Sequence, residues 1–97
     1  MANQHEQGLN QIKRLMDDPI AYFWPNHDLS AYQYQRMLGA INGKIYWQMA
    51  FEDKVAFETV RNTIRDGRKK LGYTTTEIKI MVADEIRRIV NESLGLG

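Results

Sequence analysis

The sequence predicts an all-α fold: a small helical bundle with a long central helix and a C-terminal antiparallel helical hairpin. Three observations predict it. Apolar residues recur at helical spacing through most of the chain. Two complete N-terminal capping signatures, Ser30 with Gln33 and Thr74 with Glu77, precede the longest of these stripes. The chain has two prolines, Pro19 and Pro25, and both lie ahead of those stripes.

The polar N-terminus, residues 1–7, reads as a loose tail. Leu9, Ile12 and Met16 then recur at helical spacing and predict a short helix from about residue 8 to 17. Asp18 offers a cap and Pro19 suits the first position of a further turn. Pro25 should end that turn, because the residue before proline avoids the α region. Between the prolines lie Tyr22, Phe23 and Trp24, which read as a core plug or as an aromatic anchor for a partner.

Ser30 opens the central helix. Leu29 and Tyr34 are spaced as a hydrophobic staple. Tyr34, Leu38, Ile41, Ile45 and Met49 follow one helical stripe, joined by Met37, and the stripe runs through the turn pair Asn42-Gly43. Helical periodicity outweighs that pair, so residues 44–49 are expected to be helical. A third helix is expected over residues 52–71, with Ala56, Phe57, Val60, Ile64, Gly67 and Leu71 on one face and Gly72 as its left-handed C-terminal cap. The last helix starts at the cap Thr74, where Tyr73 staples to Ile78. It buries Ile78, Val82, Ile86, Ile89 and Val90 and stops at Gly95. The link Gly72-Tyr73-Thr74 is short enough to fold the last two helices back on each other.

Ninety-seven residues with 43% hydrophobic side chains suit a single domain with one core. No apolar run approaches the roughly 20 residues that span a bilayer, and the N-terminus lacks a charged-then-apolar leader pattern. The absence of cysteine excludes disulfides and thiolate metal sites and fits a cytoplasmic protein. His5 lies in the tail, and His27 neighbours Asp28 in a turn, a poor setting for a base and its orienting acid. Asp17, Asp18 and Asp28 read as caps and turn residues. No phosphate loop, zinc helix motif or nucleophile elbow is present. No enzyme activity, cofactor or metal is therefore expected.

Two features point to binding. The first is basic: Lys54, Arg61, Arg65 and Arg68 fall on one flank of the third helix, followed by Lys69 and Lys70. That stripe can neutralise phosphates or meet an acidic protein surface. Equally, Glu58 and Asp66 lie at pairing distance along the helix and can hold it as a solvated face. The second is apolar. Tyr32, Ala40, Gly43, Trp47 and Phe51 lie on the central helix opposite its stripe, and Ile80 projects away from the buried face of the last helix. A helix apolar on two sides is either sandwiched within its own domain or shared with another chain.

The stretch from Lys70 to Ile78, followed by Ala83, Ile86 and Val90, resembles the helix–turn–helix half of ribbon-helix-helix DNA-binding proteins. Over residues 44–93 that resemblance implies a strand at Lys44 to Ala50, paired with a second chain. Lys44, Tyr46 and Gln48 would then face bases, and Thr74 to Thr76 would hold a phosphate at a helix N-terminus. Together the basic and apolar features predict a non-enzymatic interaction protein, a homo-oligomer that binds another protein or nucleic acid. A DNA-binding regulator is the alternative.

Overall fold

The computed structural model describes residues 4–93, and those residues form six helices and no strand. They are α1 (Gln4–Asp17), α2 (Pro19–Phe23), α3 (Ala31–Ile41), α4 (Tyr46–Asp53), α5 (Phe57–Leu71) and α6 (Thr75–Ser93). The expected all-α bundle is present. Gly95, expected to stop the last helix, lies outside the described residues.

The local signals act as their chemistry requires. Asp18 Oδ1 accepts the Ala21 amide at 2.9 Å, with Pro19 opening α2. The Ser30 hydroxyl accepts the Gln33 amide at 3.2 Å, and Gln33 Oε1 accepts the Ser30 amide at 3.0 Å. Thr74 and Glu77 repeat that reciprocal pair at 3.0 and 2.9 Å. Gly72 has φ +82°, so the left-handed stop of α5 falls where glycine removes the Cβ penalty. The Tyr73 ring packs on Trp24, with centroids 5.5 Å apart.

The long central helix is divided. Gly43 takes φ +94°, its amide bonds to the Ala40 carbonyl at 3.1 Å, and the Lys44 amide bonds to the Gly39 carbonyl at 2.9 Å. Those two bonds are the Schellman closure of a helix end. The Asn42-Gly43 turn signal thus overrides the periodicity, and the chain re-enters helix only at Tyr46. A second left-handed residue, Lys54 at φ 56°, ends α4, with the Val55 amide bonded to the Ala50 carbonyl at 3.0 Å. The expected helix over residues 52–71 accordingly begins at Phe57. At the other end, residues 4–7 belong to α1 rather than to a loose tail, and Gln4 Nε2 donates to the Glu92 carbonyl at 2.8 Å.

The packing also differs from a hairpin. The Gly72–Thr74 link is as short as expected, yet α5 and α6 are not laid along each other. Instead α5 packs on α3 and α4, while α6 packs on α1 and α3. Both helices reach α3 but diverge from there, α5 toward α4 and α6 toward α1, and a three-residue link between a left-handed residue and a new cap does not force them together. The result is elongated, 47 Å long and 23 Å across.

The main core joins Ile20, Met37, Ala40, Met49, Ala50, Val60, Ile64 and Ile78, with Trp24, Leu29 and Tyr34 packed against it. The aromatic segment is therefore a half-buried plug at this point. Gly67 lets α5 approach α3, since a Cβ there would lie 2.5 Å from the Met37 sulfur. Gly8 does the same between α1 and α6, where a Cβ would lie 2.6 Å from Ser93 Cβ.

A polar network fastens α1 and α2 to α6. Gln11 Nε2 donates to the Tyr22 hydroxyl at 2.6 Å, and that hydroxyl donates to Glu85 Oε2 at 2.7 Å. Arg88 grips Glu85 through Nε at 2.6 Å and Nη2 at 2.9 Å. The Arg88 bonds hold the Glu85 carboxyl below its ordinary pKa, against a smaller opposing effect of burial. Burial, with the bond to Glu85, pushes the Tyr22 phenol up. A depressed carboxylate adds stability that is present above its unfolded pKa of about 4.3 and is lost as pH falls through the lower folded value. The melting temperature is therefore expected to drop below about pH 4, and Glu85→Gln should flatten that part of the profile. An unchanged acid limb in the variant, read by circular dichroism, would place the acid sensitivity elsewhere.

Candidate interaction surface

The short helix α4 is held by its inner side. Met49 and Ala50 are buried in the main core. Its outer side is apolar and open. Trp47 and Phe51, one turn apart, are 67% and 86% exposed, and Ile45, just before the helix, is 65% exposed. The Trp47 ring lies on that of Phe57, the first residue of α5, at 4.5 Å between centroids. Alongside runs a polar row. Lys44 Nζ bonds to Glu52 Oε2 at 2.8 Å, and Gln48 Nε2 donates to Glu52 Oε1 at 3.0 Å. These bonds, the one to Lys44 first, hold the Glu52 carboxyl below its usual range. The edge of the aromatic face is thus charged but internally paired.

The structure sorts the residues expected on this face. Trp47 and Phe51 are on it. Ala40 is not: it is buried in the core of α3. Gly43 is exposed in the turn that separates α3 from α4, where it directs the chain rather than admitting a second helix. Tyr32 is exposed on α3, over the Arg36 guanidinium at 4.8 Å, in a concavity it shares with Asp53, Val55 and Thr59. Ile80 is exposed on α6. Ile45, expected in the buried stripe, joins the open set because the break at Asn42-Gly43 changes the helical phase on which that stripe was drawn.

The basic residues are dispersed. Lys54 ends α4 and is not on the flank of α5. Arg61 pairs with Glu58 at 3.1 Å and Arg65 with Asp66 at 3.6 Å. Lys70 Nζ donates to the Asp28 carbonyl at 3.0 Å. Arg65, Arg68 and Lys69 do share a surface concavity of about 310 Å³ with Tyr73 and Thr74, at the corner between α5 and α6. Glu77 lines the same corner as the capping carboxylate of α6, its pKa held below the ordinary value by the Thr74 amide. Three cations in the last turns of α5 also answer the negative end of its own dipole. The strand implied by the ribbon-helix-helix resemblance is not formed. Lys44 and Ile45 link two helices, and Tyr46 to Ala50 are helical, so Lys44, Tyr46 and Gln48 do not alternate along a ribbon.

His27 Nδ1 accepts the Leu29 amide at 3.2 Å, and its ring packs on Tyr34 at 4.9 Å, an arrangement that shapes a turn. Among the described residues no set of His, Cys, Asp and Glu gathers as a metal site. No described helix is long and apolar enough to cross a membrane.

Arg36 escaped the sequence reading. It is 4% exposed, with Nε bonded to Asp53 Oδ2 at 3.2 Å and Nη1 donating to Thr63 Oγ1 at 2.9 Å. Its guanidinium therefore ties α3 to the end of α4 and to α5, and so positions the aromatic face. A signal for it exists in the sequence: α4 ends on Glu52 and Asp53, acids at the unfavourable end of a helix dipole, which call for nearby cations. Comparison with protein-family models, with curated proteins and with solved structures finds no match for this chain.

Proposed function

We propose that this chain is a non-enzymatic interaction protein of the cytoplasm that associates with itself through the outer face of α4 and, as an assembly, binds another macromolecule. The carrying observation is the open aromatic face of Trp47 and Phe51. Leaving each ring in water forgoes roughly 2 kcal/mol of burial. The elongated shape supports the same reading. The radius of gyration is 15.4 Å, against about 12.5 Å for a compact domain of this length. The paired edge of the face suits a second copy of the chain: two such faces meet without burying an unpaired charge. One self-complementary patch is all a twofold contact needs.

The two exposed rings offer roughly 300 Å², below the ~800 Å² per partner of a standard interface. Association is therefore expected to depend on concentration. Phe51→Glu is the cleaner disruption, because Phe51 makes no ring contact among the described residues whereas Trp47 rests on Phe57. In a twofold contact the change counts twice, so dissociation should strengthen roughly 10³-fold. Sedimentation of the wild-type chain should show a multiple of 11.3 kDa, and the variant should run as the protomer with unchanged helicity. A wild-type chain that stays at the protomer mass at every attainable concentration would overturn the proposal. Nucleic acid ranks second as the macromolecular partner. The corner of Arg65, Arg68 and Lys69 favours it, but the ribbon on which the DNA-binding resemblance depends is missing.

A further inference from the structure

We infer that Asn42 is a site of spontaneous covalent modification, at which the side-chain amide is lost and an aspartate or isoaspartate forms in the hinge between α3 and α4. Asn42 caps the C-terminal end of α3 with φ −84° and ψ 7°, and both it and Gly43 are exposed. The Asn42 side chain makes no hydrogen bond among the described residues, so it is free to turn toward the main chain. Gly43 has φ +94° and open space where a Cβ would stand. The backbone nitrogen of Gly43 can therefore be approached without a side chain in the way.

The chemistry needs only water. The Gly43 nitrogen gives up its proton and attacks Asn42 Cγ. The N–Cγ bond forms, the Cγ–Nδ2 bond breaks, and ammonia leaves a five-membered succinimide. Water then adds to one of the two ring carbonyls. Opening on one side leaves an aspartate; opening on the other routes the main chain through Cβ and Cγ as isoaspartate. Two bonds restrain the step, Gly43 amide to Ala40 carbonyl at 3.1 Å and Lys44 amide to Gly39 carbonyl at 2.9 Å. Both close the very end of a helix, where local opening is least costly. The other described asparagines are placed differently. Asn10, Asn62 and Asn91 lie inside α1, α5 and α6, and Asn26 is followed by the bulky His27.

The product matters because of where it forms. Isoaspartate lengthens the main chain by one methylene inside the turn that sets the direction of α4. The new carboxylate sits at the negative end of the α3 dipole. Lys79 lines a surface concavity of about 210 Å³ together with Asn42, Met16 and Pro19, and so brings a positive charge to the groove in which the carboxylate would form.

The test is incubation of the full chain, folded, in mildly alkaline buffer, followed by peptide mapping with a fragmentation method that separates aspartate from isoaspartate. Position 42 should gain one mass unit on the order of tenfold faster than any other described asparagine, because only there does glycine follow. Asn42→Gln, which would need a six-membered ring, should remove the conversion and leave the remaining sites as they were. Conversion at position 42 in denaturant but not in the folded chain would overturn the inference, since it would show that the helix-end bonds protect the site. So would faster conversion at Asn26 or any helical asparagine.

Discussion

Arg36→Ala is expected to lower the stability of the chain by about 3 kcal/mol, near the lower end for breaking a buried ion pair. The guanidinium is almost wholly buried, whereas the Asp53 side chain keeps a quarter of its surface in water. Removing the arginine strands a carboxylate that solvent reaches in part, which moderates the cost. It also strands Thr63, although that hydroxyl keeps its own bond to the Thr59 carbonyl at 2.6 Å. At 4–8 °C per kcal/mol for a domain of this size, the melting temperature should fall by about 12–24 °C. Arg36→Lys should recover little, because an ammonium cannot bond Asp53 and Thr63 from one planar fork. A double-mutant cycle with Asp53→Ala isolates the pair: the double variant should cost clearly less than the sum of the two single changes. Additive costs in denaturant titrations would mean that the guanidinium acts by packing alone. Because Arg36 fixes the C-terminal end of α4, its loss should also weaken self-association beyond what partial unfolding explains.

What the sequence made legible was local chemistry. Asp18 with Pro19, Ser30 with Gln33, Gly72, and Thr74 with Glu77 all lie where their side chains or backbone freedom place a helix end. The inner face of α5, Val60, Ile64 and Gly67, was equally readable, since nothing interrupts its period. The central stripe failed for a specific reason. Periodicity counts apolar residues but carries no cost for bonding carbonyls at a glycine, and at Gly43 the Schellman closure satisfies them without continuing the helix. That break alters the phase. Met37 and Ala40 with Arg36 form the deepest face of α3, while Tyr34, Leu38 and Ile41 pack only half-buried. It also moves Ile45 from the expected core to the surface. The splayed arrangement of α5 and α6 was not legible because link length limits which helices can pair but does not choose among available apolar neighbours. As to the site, Trp47 and Phe51 were found from their phase on a helix that turned out to be shorter. Tyr32, Ala40 and Gly43 share a face with them only on a continuous wheel that the chain does not form, whereas Ile80, read from the last helix, is exposed on α6 as expected.

The second large effect is expected at Ile64. Its side chain is fully buried on the face by which α5 meets α3 and α4, one turn before the close approach of Gly67 to Met37. Ile64→Ala removes three carbons and leaves a void that its neighbours can fill only in part, a change that costs about 2–5 kcal/mol. The upper half of that range is expected here. Gly67 already holds the two helix backbones close, so they cannot collapse further, and Val60 and Met37 beside it are fully buried themselves. Ile89 provides the contrast. It is as deeply buried, but on the α1–α6 arm, outside the main core cluster. Ile89→Ala should open that arm locally before the rest of the chain unfolds. Amide hydrogen exchange separates the two outcomes. Ile64→Ala should lower protection in α3, α5 and the inner side of α4 together, because one cooperative core carries them. Ile89→Ala should lower it in α1 and the distal half of α6 while α3 and α5 keep theirs. Uniform loss of protection in both variants would show that the 47 Å molecule unfolds as a single unit. The aromatic face of α4 would then be only as persistent as the arm farthest from it.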